Sequence, residues 1–147
     1  MEATTARSSA AKARRGGVKF ILLHHGGCPA GGFHYRIDTD GCIHAELDDS
    51  ERGQHPRSIA VVVDGDFDTA APSGAQLDAL RELLLKLKLR FPMAELGAHR
   101  QVRGGAETTC PGRRFPMKAL AEWSRTGLVS ERDAVLRRDF ESQYSQI

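Results

Sequence analysis

The chain has 147 residues, room for one core of ordinary size and little else. Its 21 Lys and Arg against 19 Asp and Glu leave a formal net charge of +2, too even for a bulk nucleic-acid binder. Its apolar runs, such as Phe20–Leu23 and Ile59–Val63, are far too short for a membrane-spanning helix, and 3 cysteines cannot close a disulfide framework.

The first residues differ from the rest. Arg7, Lys12, Arg14, Arg15 and Lys19 face only Glu2, while residues 20–147 carry 16 basic and 18 acidic groups. The leader is rich in Ala, Ser and Thr and has no apolar core, so it does not read as a secretory signal. Residues 1–17 are expected to be a disordered basic tail, with a transit peptide or an anionic-surface anchor as the other options, residues 18–147 the folded domain, and the chain cytoplasmic as synthesised.

Val18–His24 is an apolar run of strand length and fits a buried central strand. Gly26–Gly32 is a loop by composition. His34–Ile37 and Cys42–Glu46 flank Asp38-Thr39-Asp40-Gly41, a strand–turn–strand signal with glycine where positive φ is wanted. Ser58–Val63 reads as another buried strand. Ser73 and Gln76 form a capping-box pair, and Leu77, Leu80, Leu83, Leu84 and Leu87 then recur at helical spacing until Phe91-Pro92 stops them. Ala94–Leu96 is expected to be a last short strand, with helices over Lys118–Arg125 and Glu131–Gln143, the latter opened by Ser130 and Asp133. The order β-β-β-β-α-β-α-α predicts an α/β domain, a central mixed sheet flanked by helices.

His24-His25 closes the first strand, His99 follows the last, and Cys110 lies 11 residues further on in Thr108-Thr109-Cys110-Pro111-Gly112. Two imidazoles and a thiolate from separate elements are a plausible catalytic zinc set, which needs three protein ligands and one open position. Adjacent strand residues face opposite ways, so only one of His24 and His25 can join such a site.

Leu22-Leu23-His24-His25, Phe33-His34-Tyr35-Arg36-Ile37 with Asp40-Gly41, Ser58-Ile59-Ala60-Val61, and His99-Arg100-Gln101-Val102 with Thr108-Thr109-Cys110-Pro111-Gly112 occur in a fixed order. Over about residues 18–116 this resembles the zinc-dependent N-acetylmuramoyl-L-alanine amidases of the phage-lysozyme type (amidase type 2), whose fold is shared with peptidoglycan recognition proteins. The resemblance implies hydrolysis of the amide between N-acetylmuramic acid and L-alanine in peptidoglycan or muropeptides. It places the zinc ligands at His24, His99 and Cys110, with His25 in the variable next place. Zinc would polarise the lactyl-amide carbonyl and activate water. Thr108 matches the position that helps stabilise the oxyanion, and His55 a histidine near the glycan-binding rim. A cell-wall substrate would be reached after lysis or by export, or muropeptides met in the cytoplasm. Phage-type amidases that this chain resembles can also bind an RNA polymerase, which leaves a protein-interaction role with a structural metal as a further alternative, but nothing in the sequence identifies such a surface, and no nucleic-acid partner is expected.

Four positions depart from the family pattern. Phe33 stands where the active members carry Tyr, and a Phe cannot move a proton, although it can still line the substrate site. Val62 stands where a related branch carries Glu. Eight residues separate His24 from Phe33, where the family has a helix-bearing insert, and the loop from His99 to Cys110 is longer, with Gly104-Gly105 the expected insert. Strand alternation puts Tyr35 on the face of Phe33, making it the candidate replacement proton shuttle beside a core role. His34 reads as structural and His44 as surface. Cys28 and Cys42 are expected to be free thiols, with mutual pairing as the other option. Phe33 and Val62 favour an alternative, a non-catalytic peptidoglycan recognition domain.

Overall fold

The computed structural model describes residues 17–102 and 107–127. The basic tail up to residue 16, the Gly104-Gly105 insert and the helix expected over Glu131–Gln143 lie outside the described residues.

Five strands form one mixed sheet: β1 (Phe20–His25), β2 (Tyr35–Ile37), β3 (Ile43–Ala45), β4 (Ser58–Val63) and β5 (Glu95–Ala98), in the order β3-β2-β4-β1-β5. β1 is central. It pairs in parallel with β4 from Phe20↔Ser58 to His25↔Val63, and with β5 from Phe20↔Glu95 to Leu23↔Ala98. β2 pairs in parallel with β4 and antiparallel with β3. Every residue of β4 is buried, as is β1 beyond Phe20. Strands covered on both faces must read as continuous apolar runs, which is what Ile21-Leu22-Leu23 and Ile59–Val63 do.

The hairpin turn sits where Asp-Gly placed it. Asp38 N–H donates to the Cys42 carbonyl at 3.0 Å, and Gly41 closes the turn at φ +86°. The long helix α1 spans Gly74–Arg90. Ser73 Oγ accepts from the Gln76 N–H, and Gln76 Oε1 accepts from the Ser73 N–H, so two helix-start donors are satisfied reciprocally. Gln76 also reaches into the sheet, its Nε2 donating to the Asp38 and Asp64 carbonyls at 3.2 and 2.8 Å. This fixes the start of α1 against the carboxyl ends of β2 and β4, while Leu80, Leu83, Leu84 and Leu87 fill the core.

The sheet and α1 belong to a compact unit that ends at Phe115. A second unit starts at Pro116, and its described part is the short helix α2 (Met117–Glu122) followed by a π-helical turn, Trp123–Gly127.

Candidate metal centre

β1, β4 and β5 run in parallel, so their carboxyl ends share one edge of the sheet, the usual place for a site in such sheets. His24 is the fifth of the six residues of β1, and His99 follows β5 directly, opening a 3-10 turn, His99–Gln101. That turn is held by Gln101 Oε1, which accepts from the Ala98 N–H at 2.8 Å. Strand alternation separates the adjacent histidines as expected. His24 enters the cluster, whereas His25 faces away and accepts from the Phe67 N–H through Nδ1 at 3.0 Å.

Cys110 comes from a loop pinned at several points. Arg100 N–H donates to the Cys110 carbonyl at 2.9 Å, and Cys110 N–H donates to Thr108 Oγ1 at 3.1 Å. Asp68 clamps the same loop, accepting from the Thr109 hydroxyl at 2.8 Å and the Arg113 N–H at 2.9 Å. The Arg113 N–H and then Thr109 hold the Asp68 carboxyl below its ordinary range. Gly112 has φ +113°, and a Cβ there would lie 2.4 Å from the Phe67 carbonyl carbon, so the loop closes only with glycine.

His24, Cys28, His99 and Cys110 each turn one ligand atom into a common volume, all within 4.8 Å of one another. Cys110 Sγ is 3.7 Å from His24 Nδ1, and Cys28 Sγ is 3.4 Å from His99 Nδ1. A tetrahedral zinc with nitrogen at about 2.0 Å and sulfur at about 2.3 Å spaces those ligands about 3.5 Å apart. The residues therefore fit the ion. Among the described residues, His24 Nε2 and His55 Nε2 are buried without a hydrogen-bond partner. Gln54 Oε1 is a third such atom, and none of the three is the His24 Nδ1 that faces Cys110 Sγ, so the fit to the ion rests on the spacing of the donor atoms.

The electrostatics agree. Burial, reinforced by His99, His55 and His25, pushes His24 down to about 3, so its imidazole is neutral and its lone pairs are available. Burial and then His55 lower His99 in the same direction. Burial pushes the Cys110 thiol up to about 12. Only a cation at the site would hold that sulfur as a thiolate.

Other expected residues fall on both sides of this boundary. Phe33 lies beside the cluster, its ring 5.0 Å from that of His24, and the His55 ring is 6.1 Å from that of His99. Val62 is the β4 partner of His24. Tyr35 is not brought to the cluster. Its hydroxyl donates to Asp49 Oδ1 at 2.7 Å, and Arg90 at the end of α1 pairs with the same carboxylate. The alternation argument that put Tyr35 with Phe33 fails because β2 begins at Tyr35, leaving Phe33 in irregular backbone. His34 is structural, as expected. It donates from Nε2 to the Glu51 carbonyl at 2.7 Å and accepts at Nδ1 from the Ala60 N–H at 3.0 Å, which fixes its tautomer. Cys28, Cys42 and Cys110 are free thiols, and Cys42 is exposed. The place of Cys28 in the cluster was missed. The only sequence signal was its distance of four residues from His24, within a turn that returns toward the strand end.

A mixed five-stranded sheet with a His/Cys cluster able to hold a metal at the carboxyl ends of its parallel strands defines an α/β protein of the amidase fold. Residues 2–113 match the N-acetylmuramoyl-L-alanine amidase family, and the chain belongs to that family. It is 33% identical over 109 residues to an endolysin of Klebsiella phage KP32, covering 67% of this chain and 68% of that one. It is 32% identical over 102 residues to a peptidoglycan-recognition protein of Drosophila simulans, covering 64% and 54%. Among solved structures it resembles the N-acetylmuramoyl-L-alanine amidase LysC of Clostridium intestinale, with TM-score 0.63 and 22% identity over 73% of this chain and 85% of that one. Drosophila peptidoglycan recognition protein SD gives TM-score 0.60 and 23% identity over 72% and 80%. These structural likenesses establish the fold. No helix among the described residues is long and apolar enough to cross a membrane.

Proposed function

We propose that the chain is a zinc-dependent amidase that hydrolyses the bond between the lactyl group of N-acetylmuramic acid and L-alanine, in peptidoglycan or muropeptides. The observation that carries this reading is the convergence of His24, His99 and Cys110, their ligand atoms within 4.8 Å of one another, in a chain of this family. Zinc, when bound, supplies Lewis acidity toward the amide carbonyl and lowers the pKa of water to about 7.

The remaining work falls to the chain. Burial lowers both His24 and His99, which favours the neutral imidazoles that ligate without first losing a proton. Thr108 uses its oxygen to accept from the Cys110 N–H, which leaves its own O–H proton to donate to the carbonyl oxygen as charge builds there. Phe33 offers an apolar ring beside His24, and the His55 ring near His99 is the candidate substrate contact. The Tyr35 hydroxyl is engaged by Asp49, so we assign proton transfer to solvent rather than to Tyr35. Lacking a positioned acid-base group costs about 10²- to 10⁴-fold in rate.

A second reading, a peptidoglycan recognition domain without hydrolysis, is favoured by Phe33 and Val62. Both lie beside His24, and neither can carry a proton. Zinc content of wild type and Cys110→Ala, with muropeptide turnover on the same samples, decides between them. Stoichiometric zinc that the variant loses, with amide cleavage by wild type alone, is the expected result. Zinc with muropeptide binding and no cleavage would select the recognition domain, and no zinc after reconstitution would overturn the mechanism.

A further inference from the structure

The amidase reading needs three protein ligands, yet four side chains meet at the site. We propose that Cys28 is a fourth zinc ligand, so that the folded site is a closed His2Cys2 set, and that its sulfur must leave before substrate reaches the ion. This rests on the zinc reading above and concerns the regulation of that same site.

Three observations carry it. Cys28 Sγ lies 3.4 Å from His99 Nδ1, the separation that two ligands of one tetrahedral zinc require. The position is fixed by backbone rather than chance: Gly26 N–H donates to the Val63 carbonyl, Gly27 N–H to the Gly65 carbonyl and Cys28 N–H to the His25 carbonyl at 3.0 Å. These bonds fold the turn after β1 back over the strand end. Gly26 itself is packed so closely that a Cβ would lie 2.9 Å from the Gly65 nitrogen. Finally, His24 and Cys110 are 0% exposed, whereas Cys28 is part-exposed. The two buried ligands form the floor, and Cys28 closes the solvent side, from which a polymeric or peptide substrate must approach.

Four protein ligands are the signature of structural zinc, while a hydrolytic site keeps one position open. Opening this one needs little movement. The main chain at Cys28 can stay in place, because one rotation about the Cα–Cβ bond carries the sulfur away. With zinc bound, the Zn–S bond to Cys28 would break, the departing thiolate would take a proton from solvent, and the vacated position would open to substrate. Pro29-Ala30-Gly31-Gly32 follow immediately as a largely exposed stretch that can accommodate the displaced side chain.

The test is sulfur counting at the metal. Zinc X-ray absorption and the thiolate charge-transfer absorption of the cobalt-substituted protein are measured on wild type, Cys28→Ser and Cys28→Ala, each checked for folding by circular dichroism. Two sulfurs in wild type and one in either folded variant are expected, with the charge-transfer intensity falling to roughly half. Thiol titration of the zinc-loaded protein is expected to find Cys42 alone reactive in wild type. One sulfur in wild type would overturn the fourth ligand and leave the three-ligand amidase site standing. Two sulfurs persisting in the Cys28 variants would overturn it as well. No metal in any folded form would overturn the zinc reading itself.

Discussion

His34 and His24 are both fully buried imidazoles in one sheet, one just before β2 and one near the end of β1. His34 has both ring nitrogens occupied by backbone groups, the Glu51 carbonyl and the Ala60 N–H. His24 has one nitrogen beside the Cys110 sulfur and the other without a partner among the described residues. The contrast extends to their surroundings. At the hairpin side, Arg36 bridges Glu46 and Asp64, and Tyr35 and Arg90 share Asp49. At the carboxyl ends of β1 and β5, buried histidines and thiols face one another. Polar groups that complete each other hold a fold together. Polar groups left incomplete in the interior cost stability, and they persist where an outside group completes them.

Four substitutions break or sharpen that comparison, and a fifth serves as its control. Gly112→Ala forces a side chain into the Phe67 backbone at a positive φ, and it is expected to cost about 4 kcal/mol in chemical denaturation as well as zinc binding. His34→Ala strands a buried carbonyl and a buried N–H, for an expected loss of about 3 kcal/mol in the metal-free protein. His24→Ala should lose less than half as much there, yet abolish zinc uptake; equal losses would remove the distinction drawn between the two histidines.

Asp68→Asn loosens the loop that presents Cys110, and chelator competition is expected to read an affinity loss on the order of tenfold. Its stability effect has a defined sign. The Asp68 carboxyl is held below its ordinary value in the folded state. Its contribution is therefore full above the usual carboxylate range and disappears as pH falls through the lowered value. The gap in metal-free unfolding midpoint between wild type and variant should close in acid. Tyr35→Phe, the control, is expected to have the smallest effect, about 1 kcal/mol for the bond to Asp49, with zinc content and turnover unchanged. A large fall in turnover would return Tyr35 to the reaction.

The legible and illegible parts of the chain differ in how far each residue's position depends on its neighbours. Continuous apolar runs announced β1 and β4, and Ser73 with Gln76 announced the start of α1, because burial and capping are local demands. The fifth strand ends two residues beyond the expected Leu96, at Ala98, which delivers His99 directly to the sheet edge. His24, His99 and Cys110, which the structure brings together, are legible as a set because their motifs occur in a fixed order. Cys28 was not, since nothing in Gly26-Gly27-Cys28-Pro29 distinguishes it from Cys42 until the turn after β1 is traced through its bonds to Val63, Gly65 and His25. Tyr35 was misplaced for a related reason. Counting in twos holds only inside a strand, and β2 starts at Tyr35 itself.

The central position of β1 has a consequence for how the proposed zinc would load. His24 and Cys28 lie at least 71 residues from His99 and Cys110 along the chain, and in the folded sheet it is the pairing of β1 with β5 that puts His24 and His99 at one edge. Such distant pairings form late and slowly. The unfolded chain offers no compact chelate of the kind that lets a zinc finger fold around its ion. The proposed zinc would therefore load onto a sheet that is already assembled, and by mass action it would favour that state by about 2.7 kcal/mol at a hundredfold excess over its dissociation constant. The supply of free zinc would set the lifetime of the folded protein as well as its activity.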